Sequence, residues 1–279
     1  FTDRFKPLIG VLLNIAPDHL DWHQDMKSYR DAKLKMFRHQ TAQDWAITGA
    51  DCASLVAGTR GQKLTFGGVS GVFVARGWIR HDLRGPAVKV IAVDELAIRG
   101  EHNIANAMAA AAVALIEGVD EEIIARTLRE FKGVEHRLEP VMRENGVLFY
   151  NDSKATNPAA AITAIKAFSE SIILLAGGRN KGNSFEELAR EAAGRVKLAV
   201  LFGESAPDLA AALTRHSVPA ARAASFDEAV RTASAAAQSG DVVLLAPACA
   251  SFDMFTDYEE RGRAFKAAVR AEAGSLGTR

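Results

Sequence analysis

The chain has 279 residues, 48% of them hydrophobic, with 34 Lys and Arg set against 34 Asp and Glu. That is the composition of an ordinary globular protein with room for two domains, and its charge balance excludes the overall basic excess of a general nucleic-acid or anionic-membrane binder. Cys52 and Cys249 lie far apart, which offers neither a disulfide framework nor a cysteine metal site, and no apolar run reaches membrane-spanning length.

The sequence opens on FTDRFKPLIGVLLNIAP, without an initiator methionine, and reads as a piece of something longer. LIGVLLNIAP (8–17) is a short apolar run closed by proline, as expected of a buried strand. The polar DHLDWHQD follows, and then MKSYRDAKLKMF (26–37) sets Met26, Tyr29, Lys33, Met36 and Phe37 on helical repeats. From 45 to 99 the chain is β-rich and punctuated by glycine, through DWAITG, QKLTFGG, GVFVARGWIRHDL and VKVIAVDELAIRG. EHNIANAMAAAAVALIEG (101–118) predicts a helix stopped at Gly118, and Asp120 is the expected cap of a second helix running to Phe131.

GVEHRLEPV breaks the pattern, so the domains are placed at 1–133 and 134–279. Beyond the break, apolar runs (VLFYN, IILLAGG, LAVLFG, VVLLAPA) alternate with amphipathic helical ones. The fold class is therefore α/β, with a mostly parallel sheet covered on both faces in the second domain.

In such a sheet ligands bind beyond the carboxyl ends of the strands. Three of those ends are conspicuously polar, NDSKATN, GGRNKGNS and PACASFD, and all three are expected on one edge. At the first, Thr156 or Asn157 caps a helix that starts at Pro158, and free N–H groups there together with Lys154 suit an anion. A cap alone does not explain Asp152, Ser153 and Lys154. The second end resembles a phosphate loop, but GxxxxGK[ST] would need lysine at position 183, which is Asn183. Lys181 as an anion contact and a plain solvated loop remain equal readings. At the third, Ser251 is a candidate carboxylate donor, whereas Cys249 lacks a local histidine and reads as a packing residue.

In the first half, His19 and His23 with Asp18 and Asp21 fit zinc or a harder cation without specifying either. Lys33 on a mostly apolar face is expected to snorkel. His102, Asn103 and Asn106 line the first turns of their helix, where amides are usually caps and base or ribose recognition is the sharper alternative.

Taken in order, LNIAPDHLDWH, YRDAK, GEHNIANAMAA, GVEHRLEPV, NDSKATNP, LLAGGRNKG and LLAPACASFDMFTDYEERGRAF resemble the Mur ligases, the ATP-dependent amide ligases of peptidoglycan assembly. NDSKATN and PACASFDMF match the branch that adds D-glutamate, and the DNPR motif of diaminopimelate-adding members is absent. The resemblance implies three domains. Residues 1–133 would be the later part of the central ATP-binding α/β domain and 134–279 the Rossmann-like, mostly parallel α/β carboxyl-terminal domain that binds the amino acid, with the UDP-binding domain, the phosphate loop and a magnesium-binding glutamate upstream.

It also implies a cytoplasmic, monomeric enzyme that uses ATP and Mg2+ to join D-glutamate to UDP-N-acetylmuramoyl-L-alanine. His19 would ligate magnesium, and Lys33 would do so once carbamylated, which overrides the snorkelling expectation. His102, Asn103 and Asn106 would contact adenine, Arg137 and Asp152 ribose and phosphate, and Lys154 the transferred phosphate. Thr156, Lys181, Ser251, Phe252 and Tyr258 would bind D-glutamate. The rivals are a related ligase that adds another amino acid, or glutamate to folate, and a non-catalytic nucleotide-binding module. A dinucleotide oxidoreductase fits poorly, since no glycine fingerprint follows any strand.

Overall fold

A computed structural model describes residues 4–15, 23 and 25–276. Contacts divide the chain into two compact units, Phe1–Phe131 and Lys132–Arg279.

The first unit runs β1 (Ile9–Leu12), α1 (Met26–Leu34), β2 (Trp45–Gly49), β3 (Gln62–Phe66), β4 (Val72–Ala75), β5 (Trp78–His81), β6 (Val88–Ala92), α2 (Glu101–Ile116) and α3 (Glu121–Glu130). The six strands form one sheet in sequential order. Pairing is parallel from β1 to β4 and antiparallel from β4 to β6. GVFVARGWIRHDL is thus a hairpin, turned at Arg76 and Gly77 with φ of 52° and 76°. Paired positive φ values match the right-handed twist of the two strands.

The alanines of α2 let its axis lie close to the sheet. Ala107, Ala109, Ala111 and Ala112 are buried with Met108 and Leu115 against Ile47, Phe66, Val72 and Ile79. Gly118, at φ 80°, follows the end of α2 in the left-handed conformation expected of a stop. Asp120 occupies the cap position of α3, but its side chain makes no cap hydrogen bond; there the cap is one of position only.

The second unit runs β7 (Glu139–Glu144), β8 (Val147–Asn151), α4 (Pro158–Lys166), β9 (Ile172–Gly177), α5 (Glu186–Ala192), β10 (Val196–Phe202), α6 (Ala206–Arg215), β11 (Ala220–Arg222), α7 (Phe226–Ala236), β12 (Val242–Leu245) and α8 (Tyr258–Leu276). Its sheet order is β11-β10-β9-β12-β8-β7. All neighbours are parallel except β7 and β8. Every residue of β9 and β12 is buried, and separate apolar clusters pack the two faces, one with α4, α5 and α6, the other with α7 and α8. The mostly parallel, doubly covered sheet expected from continuous apolar strands is present.

Two strands lie outside the sequence expectation. β7 is an antiparallel edge strand joined to β8 through Asn145 and Gly146, with φ of 50° and 81°. β11 has three residues, too few to show a period. Among the described residues no helix is long and apolar enough to cross a membrane.

Candidate active site

β12 is inserted between β9 and β8, and all three run parallel, so their carboxyl ends open on one edge. The chain passes from β8 to β9, outward to β11, then back to β12, and this reversal makes the edge a topological switch point.

The junction after β8 is built around Asn151. Its amide nitrogen lies 2.9 Å from His136 Nδ1 and donates to Glu139 Oε2 at 2.9 Å, while its Oδ1 accepts from the Ser153 N–H at 3.1 Å. Burial lowers the His136 pKa, so the ring is a neutral acceptor towards Asn151. His136 and Leu138 hold φ of 64° and 42°. That unusual backbone turns the segment before β7 back over the end of β8, so that Asp152 Oδ1 accepts the Leu138 N–H at 3.2 Å. Burial pushes the Asp152 carboxyl up to about 6, against the opposing effects of that N–H and of the Arg137 charge. Arg137 itself is exposed.

Lys154 is half-buried, and its ammonium lies 3.9 Å from the centroid of the Tyr258 ring, whose neighbour at 6.1 Å, edge to face, is His136. The structure thus brings Arg137, Asp152, Lys154 and Tyr258 to one junction. The helix end beside them offers less than expected. Asn157 Oδ1 takes the Ala160 N–H at 2.8 Å, its carbonyl takes the Ala161 N–H at 3.2 Å, and Pro158 has no N–H to give. The cap takes the Ala160 N–H, one of the donors that an anion would use, and the positive charge here comes from Lys154. Thr156 is half-buried at the same junction.

The glycines after β9 serve close approach. A Cβ on Gly177 would stand 1.8 Å from the Phe202 carbonyl oxygen, and one on Gly178 2.2 Å from that of Ala250. Arg179 pairs with Ala250 as an isolated antiparallel bridge, with N–H···O distances of 2.8 and 3.0 Å. Its guanidinium takes both carboxylate oxygens of Glu204 at 3.0 and 2.9 Å. Asn180 and Asn183 bracket the tip through two bonds of 2.9 Å. The loop is therefore tied to the one after β12, and it presents Lys181 exposed, without an ion-pair partner among the described residues.

On that third loop Ser251 is 2% exposed, and its carbonyl accepts from the Met254 and Phe255 N–H groups. Phe252 is 58% exposed, in contrast. Burial pushes the Cys249 thiol up to about 11, which leaves it inert at neutral pH.

In the first unit, His19 lies outside the described residues, as do Asp18 and Asp21. Lys33 is half-buried, with its ammonium 4.8 Å from the Tyr29 ring centroid, and the His23 ring centroid lies 5.2 Å from that of Tyr29. His102 is half-buried, and desolvation lowers its pKa, so the ring is neutral at pH 7. Asn103 donates to the Arg99 carbonyl at 2.8 Å and accepts from Asn106 at 3.3 Å. The amides thus brace one another and the helix start, leaving the exposed Asn106 and the imidazole for an outside partner.

Two other features have the outline of a site. Glu135, His136 and Glu139 have the spacing of a metal cluster, but the Lys266 ammonium already bonds both carboxylates. A cleft of about 410 Å³, lined by Phe168, Ser169, Glu170, Ala193 and Arg195, lies where β9 and β10 begin, at the sheet edge opposite the polar junctions.

Sequence reasoning gave no role to Asn151 or His136. The polar residue closing the strand run VLFYN was the available signal for the first, and nothing local marked the second.

Residues 2–114 match the Mur ligase middle domain and residues 136–249 the Mur ligase glutamate ligase domain. A UDP-N-acetylmuramoylalanine–D-glutamate ligase of Pelotomaculum thermopropionicum is 45% identical over 276 residues, covering 96% of this chain and 61% of that protein. One of Thermoanaerobacter sp. (strain X514) is 43% identical over 276 residues, covering 95% and 61%. The chain thus spans about 61% of the length of these relatives. The crystal structure of the MurF ligase of Thermotoga maritima in complex with ADP shares the fold, with a TM-score of 0.69 at 18% identity over 96% of this chain and 64% of that one. With two successive domain matches and this level of identity along its length, the chain belongs to the Mur ligase family.

Proposed function

We propose that the protein joins D-glutamate to UDP-N-acetylmuramoyl-L-alanine by an ATP-dependent amide ligation, a cytoplasmic step of peptidoglycan synthesis. The observation that carries this reading is the convergence of three polar strand ends, after β8, β9 and β12, on one edge of a parallel sheet, with Lys154 and Lys181 among them. The relatives' names supply the substrates.

The alanyl carboxylate attacks the terminal phosphoryl of ATP, giving an acyl phosphate and ADP. The amine of D-glutamate then adds to the acyl carbon, loses a proton, and the tetrahedral intermediate expels inorganic phosphate as the amide forms. Charge builds on phosphoryl oxygens in the first step and on the acyl oxygen in the second, so fixed cations lower both barriers. Lys154 serves the transferring phosphoryl, and its contact with the Tyr258 ring limits the rotamers of a long side chain before substrate arrives. Arg137 and Asp152 hold the ribose and phosphate side of the nucleotide. Thr156, Lys181 and Ser251 receive the two carboxylates of D-glutamate, with Phe252 and Tyr258 as apolar walls.

In the first unit, His102, Asn103 and Asn106 serve the adenine, and the neutral His102 ring suits stacking or acceptance better than charge pairing. Mg2+, when bound, would neutralise phosphoryl charge. His19 and Lys33 are the residues for it, and Lys33 offers an oxygen donor only as the carbamate, because its ammonium repels a cation.

The test is ATP-dependent phosphate release by the full natural chain that carries this sequence. It is supplied with UDP-N-acetylmuramoyl-L-alanine and, in parallel, D-glutamate, L-glutamate, L-lysine or meso-diaminopimelate. Release with D-glutamate alone is expected. Release only with another amino acid keeps the ligase and removes the substrate assignment; ATP binding without release in any arm leaves a nucleotide-binding module.

A further inference from the structure

Arg261, in the first turn of α8, is the largest fully buried side chain described, at 0% exposure. Among the described residues its guanidinium has no carboxylate within ion-pair distance. Nε donates to Ser153 Oγ at 3.0 Å and Nη2 to the Ser153 carbonyl at 2.9 Å. Nη1 donates to the Cys249 carbonyl at 3.1 Å and, more weakly, to that of Gly177 at 3.5 Å. The Ser153 hydroxyl in turn donates a hydrogen bond to the Tyr258 carbonyl at 2.7 Å, closing the network back onto α8. The fit is tight: a Cβ on Gly178 would lie 3.2 Å from Nη1, and one on Gly262 would lie 2.2 Å from His136 Nδ1.

A buried arginine is usually a structural staple, and two facts here ask for more. The acceptors belong to three different strand ends, and these are the ends that carry Thr156, Lys181 and Ser251 respectively. A guanidinium taken out of water without a direct ion pair is also costly, and apolar residues of similar volume often hold a core as well or better. Burial lowers Arg261 to about 10, so it remains a cation at neutral pH. The fold keeps a positive charge, with the Asp253 carboxylate as its more distant counter-charge, under the place where three loops meet.

We propose that Arg261 is a positioning residue for the amino-acid substrate: it sets the spacing of the three loops and places a buried positive charge beneath them. This rests on the reading of that edge as the D-glutamate site.

The experiment is steady-state kinetics of the full natural chain, comparing the parent with Arg261→Lys and Ser153→Ala. Lysine keeps the charge and cannot span all the acceptors; alanine at 153 removes one attachment and leaves the arginine in place. Folding is checked by circular dichroism. The KM for D-glutamate is expected to rise about tenfold in Arg261→Lys and several-fold in Ser153→Ala, with the KM for ATP changed by less than about threefold, since each tenfold corresponds to ~1.4 kcal/mol lost selectively from amino-acid binding. An unchanged KM for D-glutamate in folded Arg261→Lys overturns the proposal, and so does an equal rise in both KM values, the mark of a purely structural role. If Arg261→Lys does not fold, the same two criteria apply to Ser153→Ala. Absence of D-glutamate-dependent turnover in the parent is a separate failure, that of the functional reading, and takes the inference with it.

Discussion

The two sheets have the same number of strands and place their candidate residues in different ways. In the second unit β9 and β12 are buried at every position, whereas in the first β1 alternates and β3 exposes Gln62 and Lys63. A sheet covered on both faces has no free surface except its ends, so polar residues of the second unit gather in loops beyond β8, β9 and β12. In the first unit the described candidates stand instead on helices, Lys33 in the last turn of α1 and His102, Asn103 and Asn106 in the first turns of α2. Loops need internal ties to hold a geometry, and the second unit supplies them in Asn151, the Arg179–Ala250 bridge and Arg261. Helices bring their own scaffold, and there the amides need only brace each other.

The largest effect that tests this contrast lies in the cores. Leu174→Ala, in the middle of fully buried β9, is expected to cost about 3–5 kcal/mol, whereas Leu64→Ala in half-covered β3 costs about 2–3 kcal/mol. Calorimetry of both variants against the parent measures the difference, and equal losses would mean that the two sheets are covered alike.

A smaller effect comes from Asp152. Its folded carboxyl titrates near 6 against an ordinary 3.8, so folding favours its protonated form. Stability is then undiminished below about pH 4, falls as pH rises through the window from about 4 to 6, and stays lower above it. About two pH units at ~1.36 kcal/mol each set a ceiling near 3 kcal/mol. Asp152→Asn keeps an acceptor for the Leu138 N–H and removes the charge. It should stabilise the unliganded chain by about 1–2 kcal/mol at pH 7.5 and by nothing at pH 3.5, as read by urea melts. The same substitution should weaken ATP-dependent turnover by at least about tenfold if Asp152 holds the nucleotide.

The caps give the smallest contrast. Asn157→Ala removes a side chain that bonds the Ala160 N–H and should cost about 1 kcal/mol. Asp120→Ala removes one that makes no such bond and should cost less than about 0.5 kcal/mol. Thermal melts of both variants measure the pair, and an equal cost would show that position alone carries capping here.

The second unit was largely legible because its signals are local and periodic. IILLAGG and VVLLAPA are too continuous for half-exposed strands, and each ends in polar residues, so both the parallel sheet and its polar edge follow from the pattern. NDSKATNP carried its own cap and helix start. β7 escaped because Glu139–Glu144 mixes charge with a proline, although the Asn145–Gly146 pair that follows is a hairpin signal. Arg261 escaped for a deeper reason: YEERGRAF looks like a charged helix start, and only the third dimension reveals that one of its charges is enclosed by backbone from strands more than a hundred residues away in one case. Lys33 was picked out by resemblance and not by pattern, and its half-buried position over Tyr29 is compatible with an ordinary helix lysine as well.

The central claim is that the segments after β8, β9 and β12 form one ligand site. Hydrogen–deuterium exchange of the full natural chain, with a non-hydrolysable ATP analogue and UDP-N-acetylmuramoyl-L-alanine present and D-glutamate added or withheld, tests it most directly. The account predicts that D-glutamate slows exchange together in 151–157, 177–184 and 247–256. Protection confined to one of these segments, or found only elsewhere while D-glutamate still binds, would contradict it.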